Sequence, residues 1–262
     1  MNLIDIKDAA LSYMKPARAE VLKRFGTKLK VEKKADLSPV TIADRKAEEI
    51  LRRRISRDFP DHGIIGEEFG NVNPDAEWVW TIDPIDGTLS YIHGLPLFAS
   101  LIALLHNGEP VMGIISLPAL GETAWAVKGK GAYIGNQRLH VSSRKKLPGA
   151  TIATADIYCF RKKKCLRLFN QLNRQAGLLR TYPDAFGPLM AIRGTVDVMV
   201  DPLAYVWDYA PCKILVEEAG GQFANFSGNK NSISAETAIV GNASLVNAIK
   251  KIYQKTTNRG KP

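Results

Sequence analysis

At 262 residues, 45% hydrophobic and 24% charged, the chain can bury one large core or two smaller ones sharing a cleft. No apolar run spans a membrane, Asp5 and Asp8 spoil a secretory signal, Cys159, Cys165 and Cys212 form no CxxC pair, and His62, His93, His106 and His140 form no HExxH motif. These absences argue against a membrane protein, a disulfide scaffold and zinc catalysis, and predict a cytoplasmic protein. The formal net charge of +10 raises nucleic-acid binding, but the Lys and Arg residues are dispersed in sequence. They lie at Arg52 to Arg54, Lys128 and Lys130, Arg161 to Lys164, and Lys250 to Lys261. With no recognition-helix, zinc-finger or RNP pattern, the expectation is a solvated surface without a nucleic-acid partner.

The first element is a predicted helix from Leu3 to Phe25, with Leu3, Ile6, Ala10, Tyr13, Met14, Ala17, Val21 and Leu22 at helical spacing and Gly26 as its stop. A short strand is expected at Leu29 to Glu32, then a helix from Arg45 to Phe59 with Asp44 at its start, where an Asp is often only a cap. His62 to Glu68 reads as a buried strand ending in two acids. Strands at Leu97 to Leu105, Pro110 to Ser116, Thr123 to Val127 and Ala132 to Ile134, separated by Asn107-Gly108, Gly121 and Gly129 to Gly131, predict an antiparallel meander.

Val141 to Pro148 is polar and basic, a plausible boundary. It divides the chain into a 1–147 α+β half and a 148–262 α/β half, expected to act as one continuous catalytic unit. In the second half, strands are expected at Thr151 to Ala155, Leu178 to Thr181, Val196 to Val200 and Ala238 to Val240. Helices are expected at Cys165 to Ala176, Ala185 to Ile192, Tyr209 to Ala219 and Ser244 to Tyr253, with Asp208 at the start of the third.

The most informative stretch is Trp78 to Gly94, WVWTIDPIDGTLSYIHG. Its β-branched and aromatic run predicts a buried strand that cannot simply continue through Pro84, since proline fixes φ and removes a donor. Asp83 and Asp86 can converge across the bend with the Ile85 carbonyl between them, an oxygen-only set suited to Mg²⁺. Gly87 permits close backbone approach, a following helical turn would aim N–H groups at an anion, and Thr88 adds a hydroxyl. Such a constellation fits metal-assisted phosphoryl transfer to water.

Gly66-Glu67-Glu68, Trp80-x-Ile82-Asp83-Pro84-Ile85-Asp86-Gly87-Thr88, and Trp207-Asp208 with Glu218-Ala219-Gly220-Gly221 together resemble the signature blocks of the inositol monophosphatase family. The likeness runs from about Asp36 to Gly221. It implies a mixed α/β fold, a layered αβαβα sandwich, a tendency to dimerise, and Mg²⁺-dependent hydrolysis of small phosphate monoesters. By position in the blocks, Glu67, Asp83, the Ile85 carbonyl, Asp86 and Asp208 are the implied ligands of two or three Mg²⁺ ions, with Mn²⁺ able to substitute. Gly87 and Thr88 are implied to meet the phosphate. Asp44 is implied to pair with Thr88 in orienting the water, with Glu67 among the catalytic acids.

Asp184-Ala185-Phe186-Gly187 and Val198 to Pro202 look most like the histidinol-phosphatase branch, which implies that Asp184 and Asp201 receive a cationic substrate. Pro183, Phe186 and Pro211 depart from the pattern of that branch. The alternatives are an inositol 1-phosphate or sugar (bis)phosphate phosphatase and, more distantly, a non-catalytic RNA-associated protein. The full set of expected carboxylates disfavours a silent site.

Overall fold

The computed structural model describes residues 2–35, 38–203, 205–226 and 236–258; Asp36, where the resemblance begins, and Arg259 and Lys261 of the basic tail lie outside them. Helix α1 (Leu3–Arg24) forms as its spacing predicts, with Asn2 accepting a hydrogen bond from the Ile4 N–H. A small ribbon follows, β1 (Glu32–Lys33) paired with β2 (Pro39–Val40), displaced from the strand expected at Leu29 to Glu32. Helix α2 (Ile42–Asp58) begins three residues before the predicted Arg45 because Thr41 is its cap. The Thr41 hydroxyl accepts from the Ala43 N–H, and the Asp44 carboxylate accepts from the Thr41 N–H at 2.8 Å, a reciprocal box that satisfies first-turn donors. Asp44 is therefore the third helical residue and not the cap.

The larger sheet has seven strands: β3 (Gly63–Gly66), β4 (Trp78–Asp86), β5 (Ala99–His106), β6 (Glu109–Leu117), β7 (Glu122–Val127), β8 (Gly131–Ile134) and β9 (Gln137–Arg138), in that order. β3 runs parallel to β4, and from β4 onward the sheet is the expected antiparallel meander. As expected, β4 does not continue unbroken through Pro84, yet it resumes and runs to Asp86. Its register against β5 slips by one residue between the pairs Asp83↔Leu101 and Asp86↔Ala99. A bulge of this kind absorbs the donor that proline lacks and re-aims the side chains on either side. The short helix α3 (Thr88–Ile92) follows at once.

Alternation along the strands splits the apolar residues between two layers. Trp80, Ile82, Ile102, Leu104 and Ile114 pack with α1 and α2, whereas Val79, Leu101, Ala103 and Ile115 face the other way. That second face is covered by α6 (Phe186–Ile192) and α7 (Val206–Glu218) from the C-terminal half. α7 lies hard against the sheet at Gly113, where a Cβ would come within 2.8 Å of the Pro211 Cα and 2.6 Å of an Ile214 methyl. Only glycine permits that approach.

A five-stranded sheet follows, in the order β11 (Leu178–Thr181), β10 (Thr151–Thr154), β12 (Val198–Asp201), β14 (Ala238–Gly241), β13 (Gln222–Ala224). Met199 and Val240 point toward α6 and α7, while Val198, Val200 and Ile239 point outward. The outer face is closed by α4 (Ile157–Lys162), α5 (Leu166–Gln175) and α8 (Ala243–Asn258) through Phe160, Leu168, Leu172, Leu245, Val246 and Ile249. The result is the five-layered αβαβα sandwich that the resemblance implied. Strand β13 and helix α4 are too short to show in the sequence pattern, where periodicity needs several turns or alternations.

Candidate active site

Where the β4 bulge meets the start of α7, three carboxylates converge. Asp83, Asp86 and Asp208 each offer an oxygen, all within 4.8 Å of one another. Asp83 and Asp86 flank the bulge, and Ile85 between them donates its N–H to Asp83 Oδ1 at 3.0 Å. Asp208 is the third residue of α7, and its carboxylate accepts from the Tyr205 N–H at 2.7 Å. Two helices thus deliver an aspartate from the same first-turn position. In each, the acid satisfies a backbone donor with one oxygen and turns the rest of the group inward.

So many acids at one point repel. Burial, then the charges of Glu67, Asp86 and Asp208, hold the Asp83 carboxyl far above its ordinary range. Burial and the Asp184 and Asp208 charges do the same to Asp86, and burial and Glu67 push Asp208 up to about 8. An ensemble of hard oxygens that must otherwise hold protons is a fit for a small divalent cation, and a poor fit for a soft metal. Asp83, Asp86 and Asp208 could hold such an ion.

Glu67 is placed by β3, whose Gly66 pairs with Ile82 in parallel register, and its N–H donates to the Ile82 carbonyl at 3.2 Å. Buried Glu48 on α2 fixes this turn by accepting from the N–H groups of Glu68 and Phe69 and from the Arg52 guanidinium. The Glu67 carboxylate is not in the tight triad. It pairs with Lys34 at 2.7 Å, as Glu68 does at 2.6 Å. Lys34, from the loop between β1 and β2, carried no signal in the sequence, because a Lys between short strands looks like any solvated charge.

Thr88 opens α3 behind Gly87, which has φ 87° and so needs glycine. The Thr88 hydroxyl lies 3.4 Å from Asp44 Oδ1 and 3.2 Å from the Ile85 carbonyl oxygen. Asp44 Oδ2 is taken by the Thr41 hydroxyl at 2.6 Å and the Thr41 N–H, so Oδ1 is the oxygen presented to Thr88. Desolvation in the core raises the Asp44 carboxyl above its usual range despite those hydrogen bonds.

Asp184 and Asp201 arrive from the C-terminal half. Asp184 has a left-handed backbone, φ 49°, just before α6; its carboxylate sits over Gly87, where a Cβ would be 2.5 Å from Oδ2, and accepts from the Ser90 hydroxyl at 3.4 Å. Its neighbour Ala185 donates an N–H to Asp86, tying the two halves together. Asp201 ends β12 and accepts from the Leu203 N–H at 2.9 Å. Burial, with the nearby Asp184 and Asp156 charges, raises Asp201 to about 7, and burial raises Asp184 to about 6. Asp156, the cap of α4, was not among the expected site residues; it follows an unrecognised strand-to-helix turn.

The sequence profile of the inositol monophosphatase family matches residues 4–258. A histidinol-phosphatase of Streptomyces coelicolor is 39% identical over 232 residues, covering 85% of this chain and 87% of the relative. A fructose-1,6-bisphosphatase/inositol-1-monophosphatase of Thermotoga maritima is 31% identical, with 96% and 97% of the two chains covered. Among solved structures, an IMPase of Thermotoga maritima superposes with a TM-score of 0.87 at 29% identity, over 97% of this chain and 99% of that one. With profile, relatives and architecture in agreement, the chain belongs to the inositol monophosphatase family and is a phosphoric monoester hydrolase.

Proposed function

We propose that the protein is a Mg²⁺-dependent phosphomonoesterase whose substrate is histidinol phosphate. The observation that carries the substrate is the acidic wall of Asp201, Asp184 and Asp156 beside the triad. Among the described residues Asp184 and Asp201 form no ion pair, so a buried aspartate, Asp201, and a half-buried one, Asp184, stand ready for a cation that the substrate would bring. Relatives named histidinol-phosphatase at 37% to 39% identity, against 31% for those named for inositol or fructose phosphates, support the same reading.

Asp83, Asp86, Asp208, Glu67 and the Ile85 carbonyl would hold the metal. When bound, Mg²⁺ supplies Lewis-acid neutralisation of the phosphate oxygens and of the departing alkoxide. The chain's own part is orientation and proton handling. Asp44 Oδ1 aligns the Thr88 hydroxyl, which in turn points a water at phosphorus; raised by burial, Asp44 can take up the proton released. The first-turn N–H groups of Gly87 and Thr88 receive phosphate oxygens at the start of α3. Asp201 and Asp184 receive the ammonium and imidazole end.

Phosphate release from histidinol phosphate, inositol 1-phosphate, fructose 1,6-bisphosphate and adenosine 3′,5′-bisphosphate tests the proposal. Preference for histidinol phosphate in kcat/KM by about two orders of magnitude is expected if one desolvated charge pair is worth a few kcal/mol. Equal or better turnover of the inositol or fructose ester would return the protein to the broader sugar-phosphate branch.

A further inference from the structure

The positive charge that is scattered along the sequence is gathered by the fold. Residues 157–175, which contain α4 and α5, carry six Lys or Arg and no Asp or Glu. Helix α8 carries three, Lys250, Lys251 and Lys255, and again no acid. Helices α5 and α8 pack together over the outer face of the five-stranded sheet. Of the chain's 36 basic residues these nine lie on one layer, and the remaining 27 nearly balance the 26 acids. With Glu236, which pairs with Lys163, and Asp156 at the α4 cap set against the nine, this layer still carries more than half of the net charge of +10.

Between α5 and α8 this face is concave. A groove of about 460 Å³ is lined by Arg167, Arg174 and Lys255 with the amides of Asn170, Gln171 and Gln175. It adjoins a second depression of about 400 Å³, which shares Arg167 and Thr256 and adds Lys163 and Lys164. Lys163 pairs with Glu236; Arg167, Arg174 and Lys255 have no acidic partner among the described residues. We infer that this groove is a docking surface for a single-stranded nucleic acid, whose phosphates the cations would neutralise and whose sugar and phosphate oxygens the amides would meet.

Four features select that occupant. Two joined compartments along a line of cations suit a polymer better than one small anion. A groove between two packed helices can take in the sugar and phosphate groups of one strand, whereas a duplex would meet only its rim. Large apolar side chains are few, Ile252 in the larger compartment and Leu166 and Tyr253 in the smaller, too few for the apolar face that inserts into a lipid bilayer. A second copy of the chain would oppose nine cations with nine more. The five-stranded sheet separates the groove from the carboxylate cluster, so occupancy leaves the reaction site open.

The test is fluorescence anisotropy of the full chain with a labelled single-stranded RNA. Binding should weaken by roughly 50-fold between about 50 and 200 mM salt, as release of a few counterions requires. The triple variant R167E/R174E/K255E should bind at least about tenfold more weakly, while its phosphatase kcat/KM, which also reports folding, stays within about twofold of the parent. The variant K23E/K128E/K130E changes the same charge on other surfaces and should keep its affinity. Equal losses in the two variants would mean diffuse attraction by net charge and overturn the inference. So would unchanged binding in the α5/α8 variant, tighter binding of a duplex of the same length, or binding to phosphatidylserine vesicles with none to RNA.

Discussion

The two halves of the molecule supply carboxylates to one cleft by different means. In the N-terminal half, Asp83 and Asp86 sit on a central strand paired on both sides and covered on both faces, so the backbone that aims them has little freedom. In the C-terminal half, Asp184 rides on a left-handed residue in a loop and Asp201 ends a strand. Loops tolerate change that a bulged central strand does not. The difference suggests a division of labour: the rigid half carries the chemistry common to many esters, and the looser half selects among them. Asp208 is the informative exception. It comes from the C-terminal half, yet α7 is packed directly on the sheet, with Pro211 and Ile214 against Gly113.

The comparison would break most sharply at the triad. Asp83→Asn or Asp86→Asn should lower kcat by about 10³-fold, because an amide is a poor replacement for an anionic oxygen ligand. Chelation should abolish turnover and added Mg²⁺ restore it. Steady-state kinetics at saturating Mg²⁺ provides the check, and near-parental turnover in either variant would refute the metal assignment.

A smaller loss, about 10²-fold and confined to kcat, is expected for Thr88→Ala or Asp44→Asn, which disturb proton handling and not substrate affinity. A change in KM alone would leave Asp44 as part of a helix-start hydrogen-bond box and nothing more.

Asp201→Asn sharpens the contrast between halves. It should reduce kcat/KM for histidinol phosphate at least about tenfold and leave p-nitrophenyl phosphate, which has no cation to pair, nearly untouched. Equal losses on both esters would assign Asp201 to the fold or the metal site.

The smallest effect is on stability. Asp201 at about 7 and Asp208 at about 8 lie above the value of about 3.9 for an unfolded Asp. The folded, metal-free protein thus holds protons that the unfolded chain has released. The stability these groups contribute is fully present below about pH 4, falls progressively as pH rises above that, and is lost once pH has passed through about 7 to 8. Tm of the metal-free protein should fall between about pH 5.5 and 8, and Mg²⁺ should raise Tm more at the higher pH, since it competes with those protons. Calorimetry showing the opposite slope would mean that the carboxylates are ionised and compensated from elsewhere.

Much of this was legible in the sequence where the signal is local. The periodicity of α1, the meander and the DPIDGT turn each arise from neighbouring residues, and the three blocks together identified the family and its sandwich. An Asp at the start of α2 was visible too, although its place in a helix-start box with Thr41 needed the backbone. What the sequence by itself determined was therefore which side chains are chemically able to do the work, since residue type and short-range geometry travel with the chain. Only the tertiary structure decided that β4 passes through Pro84 as a bulge, that Lys34 reaches Glu67 and Glu68 from a separate ribbon, that Asp184 settles over Gly87, and that cations far apart in sequence share one face. Each of these depends on contacts between residues distant along the chain, and no local pattern encodes which distant surface a side chain will meet.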